Sequence, residues 1–249
     1  MESRGKDTVF TRLFDKYAGR LNLPKSAQVL EVGCGTGIVL RAFARRKDFS
    51  GSAVGVDQSP AFIQAARRLA REEGVDEQVE FQVGDVHELD FKDRSFDAVI
   101  AHTLISHVAE PATVLKEMAR VVRSGGTVAI FDGDYATLTY AFPDRDFGRQ
   151  MDKALALATF TNPLIMRDLP HMLPAVGLEI TETLADVVAE IGSASYFKSF
   201  AETYAPQVAK SGLLPAQKVD DWQAAQRHAM EEGRFFASCN YYTYLAKRI

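Results

Sequence analysis

Val29-Leu30-Glu31-Val32-Gly33-Cys34-Gly35-Thr36-Gly37 decides how this chain is read. Ala27 to Val32 is a short apolar run of the kind that forms a strand buried on both faces. It closes on three glycines at alternate positions. Glycine has no Cβ, so the backbone there can approach a ligand where a side chain would collide. Ile38, Val39, Leu40, Phe43 and Ala44 then carry a helix. The stretch reads as a strand, a bare turn and a helix. It departs from the dinucleotide fingerprint G-x-G-x-x-G, because the third glycine position holds Ile38 and the glycine falls at 37. In an open parallel sheet, ligands sit beyond the carboxyl ends of the strands, near the point where strand order reverses.

Upstream, Val9, Phe10, Leu13, Phe14, Tyr17 and Leu21 predict an amphipathic helix over residues 7–22, followed by Asn22 and Pro24. Downstream, Ala53 to Val56 is a second buried strand ending at Asp57. Ser59-Pro60 opens a helix, since Ser59 can cap free N–H groups and Pro60 suits the first helical position. That helix runs to about Glu73 and stops at Gly74. Val79, Phe81 and Val83 alternate as a third strand before Gly84-Asp85, and Phe96 to Ala101 is a fourth. Ala112 to Val122 forms a helix, and Gly125-Gly126 turns the chain into a fifth strand, Thr127 to Phe131. This alternation signals a parallel sheet covered by helices on both faces.

After Asp132 the rhythm changes. Residues 133–176 are rich in aromatics and prolines and read as a helical insertion. Leu178 to Ile191 reads as a strand, residues 194–232 as helices broken near Gly212 and Pro215, and Phe235 to Leu245 as a last aromatic strand. The expectation is one domain over residues 1–249. Its core takes about 9–132 and 177–249, and cap insertions take about 133–176 and 194–232.

Composition narrows the class. A chain of 249 residues holds one large α/β domain or at most two small ones. Hydrophobic residues at 47% and charged residues at 25% exclude a disordered chain. A net charge of −4 gives no basic excess for nucleic acid, and Arg45-Arg46-Lys47 falls where it complements a helix dipole. Cys34 and Cys239 make no disulfide framework and fit a reducing cytoplasm. Met1 to Lys6 is polar, unlike a secretory leader. No apolar run reaches the ~18 residues of a membrane span. The histidines and carboxylates show no metal-ligand spacing such as H-E-x-x-H, so no metal is expected. The oligomeric state stays open, a homodimer included.

Two acidic positions follow the glycine turn. Asp57 ends the second strand, about where nucleotide folds place an acid for ribose hydroxyls. One carboxylate can accept from two vicinal hydroxyls at once; the alternative is a cap or turn residue. At Gly84-Asp85-Val86, Asp85 can accept from an exocyclic amine and the Val86 N–H can donate to a ring nitrogen, together reading an adenine edge. The alternative there is a simple Asx turn.

Val29 to Gly37, Asp57-Gln58-Ser59-Pro60, Gly84-Asp85, Phe96-Asp97-Ala98-Val99-Ile100 and the run from Leu115 to Gly126 occur in order. Over about residues 9–132 this resembles the class I S-adenosylmethionine-dependent methyltransferases. It is most similar to the small-molecule branch that includes the ubiquinone and menaquinone C-methyltransferases. Ser124 departs from the family, which commonly has proline before the paired glycines.

The resemblance implies an α/β, doubly wound, mostly parallel seven-stranded sheet of the Rossmann-like methyltransferase type with a helical cap. Its last strand runs antiparallel between the fifth and sixth. It implies S-adenosylmethionine as cofactor and S-adenosylhomocysteine as product. Gly33 and Gly35, with Cys34 between them, would underlie the methionine part. Asp57, followed by Gln58, would hold the ribose, Phe62 would pack on adenine, and Asp85 and Val86 would read it. The Ala101 carbonyl would meet the methionine ammonium, and Tyr17 would close over the cofactor.

Methyl transfer from a sulfonium asks chiefly for alignment and desolvation. Where the acceptor needs deprotonation, His102, His107 and Tyr135 are the candidates, with histidine suited by a pKa near neutrality. Each has a packing or orienting role as its alternative. The cap aromatics point to an apolar or aromatic acceptor such as a phenol, quinone precursor or polyketide, or else they bind the cap helices together. The reading is methyl transfer to O, N or C of a small organic acceptor. The alternative is an S-adenosylmethionine-binding cyclase or rearrangement enzyme without net methyl transfer. A nicotinamide dehydrogenase is disfavoured by Ile38, and a non-catalytic binding protein is distinguished by absent turnover.

Overall fold

The computed structural model describes residues 7–249, so the reading of Met1 to Lys6 lies outside it. Strands β1 (Gln28–Val32), β2 (Ser52–Asp57), β3 (Val79–Val83), β4 (Phe96–His102), β5 (Val122–Tyr140), β6 (Leu178–Gly192) and β7 (Phe235–Arg248) build one sheet. Their order is β3-β2-β1-β4-β5-β7-β6. β1 to β5 pair in parallel, and the last strand is antiparallel, as expected. β1 lies between β2 and β4, so the strand order reverses at its carboxyl end. That is the switch point where ligands bind in such sheets.

The described residues fall into two compact units. The first takes the chain up to Asp132, with Asp168–Leu184 and Thr243–Ile249. It holds helices α1 (Thr8–Ala18), α2 (Ile38–Ala44), α3 (Pro60–Glu72) and α4 (Pro111–Val121). Local chemistry sets their ends. The Asp7 carboxylate accepts from the Val9 N–H at 3.0 Å and starts α1. Ser59 Oγ accepts from the Phe62 N–H at 3.3 Å, with Pro60 the first residue of α3. Gly74 follows that helix at φ +67°, a conformation that favours glycine. α1 stops short of the expected residue 22, yet Leu21 beyond it is still buried.

The second unit takes Gly133–Arg167 and Ala185–Tyr242. It holds α5 (Arg145–Thr159), α7 (Tyr196–Ser211) and α8 (Ala216–Glu231); α6 (Ile165–Ala175) belongs mostly to the first unit. Residues 133–140 correct the sequence reading, being strand and not helical insertion. Thr137, Thr139 and Tyr140 suit a strand, and buried and less buried positions alternate over Thr137 to Tyr140. The prolines and aromatics further along had masked this.

The aromatics of this unit pack on one another. Tyr140 meets Trp222 edge-on at 5.0 Å and Phe197 at 5.8 Å, and its hydroxyl donates to the Phe197 carbonyl at 3.0 Å. Tyr135 lies flat on Phe160 at 3.4 Å between ring centres. Glu190 accepts from the Tyr196 and Phe197 N–H groups and so caps α7.

Asp152 on α5 gives this unit a pH-sensitive contact. It accepts from the Thr139 hydroxyl at 3.0 Å and the Tyr140 N–H at 3.1 Å, but burial outweighs both and pushes its carboxyl up to about 7. A carboxyl raised on folding stabilises fully below its unfolded value, about 3.9, and that contribution is lost as pH rises towards about 7. Asp152→Asn keeps an acceptor for Tyr140 and offers Thr139 a donor. Wild type should therefore lose about 2–4 kcal/mol relative to the variant between pH 4 and 8. Urea unfolding of both proteins across that range checks this, and parallel pH profiles would contradict it.

Candidate active site

Strand register brings the sequence-predicted positions of the first unit to one edge. Val32 pairs with Val56 and with Ala101, Asp57 with Val83, and His102 with Phe131. The glycine turn, Asp57, Gly84-Asp85 and Ala101-His102 thus all leave the sheet at its carboxyl end.

The turn is held by its own backbone. The Gly33 and Cys34 N–H groups both donate to the Val56 carbonyl, at 2.8 and 3.0 Å, and Gly37 N–H donates to the Cys34 carbonyl at 2.8 Å. Gly33, Gly35 and Gly37 take φ of +69°, +53° and +77°. A Cβ on Gly33 would lie 2.4 Å from the Leu104 side chain, and one on Gly37 2.4 Å from the Phe81 ring. The positive φ at both positions, and the Phe81 ring at Gly37, therefore favour glycine independently of a ligand, whereas the Leu104 methyls near Gly33 end a flexible side chain. Cys34 is buried, and burial drives its thiol far above the ordinary range, so it is no nucleophile at neutral pH.

Asp57 ties turn to helix. Its Oδ2 accepts from Gly35 N–H and its Oδ1 from Ser59 N–H, both at 2.9 Å. Each carboxylate oxygen keeps a further lone pair, so the turn role and a grip on ribose hydroxyls are compatible. Gln58 beside it is exposed. Phe62 on α3 is 36% exposed and Val83 51%, which leaves apolar surface uncovered on both elements that flank Asp57 in sequence and register. Asp85 does form the Asx turn: Oδ1 accepts from the His87 N–H at 2.9 Å and meets His87 Nδ1 at 2.7 Å. The His87 backbone N–H first, then its side chain, hold Asp85 below the usual carboxylate range. Oδ2 of Asp85 has no partner among the described residues. Val86 and Ala101 are buried.

Two positioning residues were missed. Glu31 is buried within β1, where it accepts from the Leu40 N–H and so caps α2 from a distance. Burial, then Asp57, raises its carboxyl well above the usual range, and its Oε2 has no hydrogen-bond partner among the described residues. The signal was available, as a charged residue inside an otherwise apolar strand. Asp132, fully buried, accepts from Ser106 N–H at 3.0 Å and so anchors the loop after β4. Nothing in the sequence pairs these two.

His102 ends β4 and His107 lies on that loop. Tyr17, with no exposed surface, places its hydroxyl 2.9 Å from His102 Nδ1. Burial pulls His102 down to about 3, so the imidazole is neutral at physiological pH. His107 is exposed, with its N–H on the Leu104 carbonyl at 2.8 Å. Tyr135 belongs to the second unit and is buried there against Phe160. Among the described residues, no group of histidines, cysteines and carboxylates could hold a metal, and no helix is long and apolar enough to cross a membrane.

Comparison with known proteins agrees with this geometry. A family described as "Methyltransferase domain" matches residues 30–130. The chain is 39% identical over 140 residues to a phosphatidylethanolamine N-methyltransferase of Cereibacter sphaeroides, covering 56% of this chain and 63% of that protein. It is 32% identical over 131 residues to the 27-O-demethylrifamycin SV methyltransferase of Amycolatopsis mediterranei, covering 53% and 47%. The chain therefore spans less than two thirds of the length of these relatives. Among solved structures, the [4+2]-cyclase SpnF superposes with a TM-score of 0.63 at 24% identity, over 95% of this chain and 80% of that one, a likeness of fold.

Residues 30–130 thus match a methyltransferase-domain family, the sheet has the Rossmann-like methyltransferase fold, and S-adenosylmethionine is the cofactor such a domain uses. The residues present suit that cofactor: a bare turn at positive φ, a carboxylate with spare lone pairs one strand away, uncovered apolar surface beside it and a buried carboxyl oxygen without a partner among the described residues.

Proposed function

We propose that this chain transfers a methyl group from S-adenosylmethionine to O, N or C of a small organic acceptor. The observation that supports it most is the Asp57 carboxylate, bonded to the glycine turn at Gly35 and still able to accept from vicinal hydroxyls. Gly33, Cys34 and Gly35 lie under the methionine part, Asp57 and Gln58 meet the ribose, and Phe62, Asp85 and Val86 meet the adenine. Ala101 offers its carbonyl to the ammonium, and Tyr17 borders the site. When bound, the cofactor supplies an activated methyl on a positively charged sulfur. The chain's own part is alignment and exclusion of water. His107 serves as the general base where the acceptor must lose a proton, because it is exposed on the loop after β4, whereas burial makes His102 a poor proton acceptor.

The acceptor is apolar or aromatic, in keeping with the resemblance to quinone C-methyltransferases. Relatives named for a phospholipid and a rifamycin favour the same broad class. Tyr135 contributes through the packing of the second unit. The protein works in the cytoplasm, without a nucleic-acid partner.

The test is formation of S-adenosylhomocysteine with a panel of phenols, quinone precursors and amines. Turnover should be seen with at least one acceptor, and His107→Ala should lower kcat by about 100-fold or more while cofactor affinity changes little. Equal rates for variant and wild type at saturation would remove His107 from the mechanism. Acceptor conversion without S-adenosylhomocysteine would replace methyl transfer by a cyclase or rearrangement reaction, a possibility raised by the fold shared with SpnF.

A further inference from the structure

We infer that Tyr17 is a positioning residue that fixes His102 as a neutral imidazole with its proton on Nε2, so that the carboxyl end of β4 presents an N–H donor and not a base. The inference deepens the methyltransferase reading and rests on it only for the nature of the ligand. The donor would face an oxygen acceptor in that site, such as a carboxylate or carbonyl.

The argument begins with one proton. Among the described residues, the Tyr17 hydroxyl has a single hydrogen-bond partner, His102 Nδ1 at 2.9 Å. Tyr17 has no exposed surface, so water does not offer another. If Nδ1 carried the ring proton, it would donate to the phenol oxygen, and the phenol's own proton would point into protein with nothing to accept it. A buried donor without an acceptor is costly, whereas the opposite arrangement satisfies both groups. The phenol therefore donates, Nδ1 accepts, and the imidazole proton sits on Nε2.

Ionised alternatives are closed off as well. Burial first, then the nearby Glu31, push the Tyr17 hydroxyl well above its ordinary value, so no phenolate forms to attract an imidazolium. Burial likewise disfavours the charged form of His102.

The ring is also held in orientation. Phe131 stacks on His102 at 4.5 Å and 30°, and Phe10 meets it edge-on at 6.4 Å. Phe131 is stacked in turn by Tyr17 at 6.0 Å. Just after His102, Thr103 takes φ +53° and its N–H donates to the Phe131 carbonyl at 2.7 Å, which pins the backbone. His102 is not fully covered, and Nε2 has no acceptor among the described residues. The result is an oriented donor with an edge left open.

Nitrogen-15 NMR of the histidine rings in the free protein tests this without any methyl acceptor. Wild type should show His102 with a protonated Nε2 and an unprotonated Nδ1. Tyr17→Phe keeps the ring stack and removes only the hydroxyl; in it His102 should shift to a mixture of the two tautomers. A proton on Nδ1 in wild type, or an unchanged tautomer in folded Tyr17→Phe, would overturn the inference. Should Tyr17→Phe fail to fold, the wild-type tautomer decides by itself. The measurement stands or falls separately from methyl transfer.

Discussion

Asp57→Ala is expected to weaken binding of S-adenosylhomocysteine by about 1.5–3 kcal/mol, roughly 10- to 150-fold in Kd, while leaving the protein folded. Two effects add. Hydrogen bonds from hydroxyls to an ionised carboxylate are lost, and these are among the stronger ones. The same side chain also accepts from Gly35 N–H and Ser59 N–H at 2.9 Å, so its removal frees the glycine turn and loosens the entry to α3. Asp57→Asn separates the contributions. An amide accepts at one oxygen only, and its NH2 must face either Gly35 N–H or Ser59 N–H. It should therefore bind more weakly than wild type and more tightly than the alanine variant. Isothermal titration calorimetry, with circular dichroism to check the fold, gives both values. Unchanged affinity in a folded Asp57→Ala protein would remove the ribose role and much of the reading built on it.

How much of this could be read from sequence depends on the range of the interaction. The glycine turn, the Ser59 cap, the Pro60 start and the Gly74 stop are local, and each appears where the residues place it. The parallel strands were legible because strands buried on both faces are written as apolar runs; β4 is buried from Phe96 to Ala101. Residues 133–140 were misread for the opposite reason. Their strand is supported by partners far along the chain, such as Asp152 on Thr139 and Tyr140, and propensity alone was outvoted by the aromatics and prolines that follow. The pairing of Tyr17 with His102 spans 85 residues and depends on the register of β4 with β5. Sequence offered each residue as a candidate, but not the hydrogen bond that makes one set the protonation of the other.

The glycine turn itself carries the largest expected effect on stability. Sequence reasoning assigned the missing side chains to a ligand's approach. The structure adds a second reason at Gly37, where φ is +77° and a Cβ would lie 2.4 Å from two atoms of the Phe81 ring and 3.2 Å from Ala66. Phe81 is fully buried on β3, so its ring cannot give way into solvent. Gly37→Ala should thus incur about 1–2 kcal/mol for the left-handed backbone and about 1–3 kcal/mol for overpacking. The sum, about 2–5 kcal/mol, corresponds to a fall of roughly 5–20 °C in Tm for a chain of this size. Gly74→Ala supplies the control. Its φ is +67°, but nothing lies within 4 Å of the added Cβ, so only the backbone cost applies and Tm should fall by about 2–8 °C. Adding Phe81→Ala to each variant closes a double-mutant cycle. Coupling should be strong with Gly37→Ala, because the ring it strikes is gone, and absent with Gly74→Ala. Equal Tm losses for the two glycine variants, with no coupling to Phe81, would mean that the turn tolerates a side chain and that its glycines are there for a ligand alone.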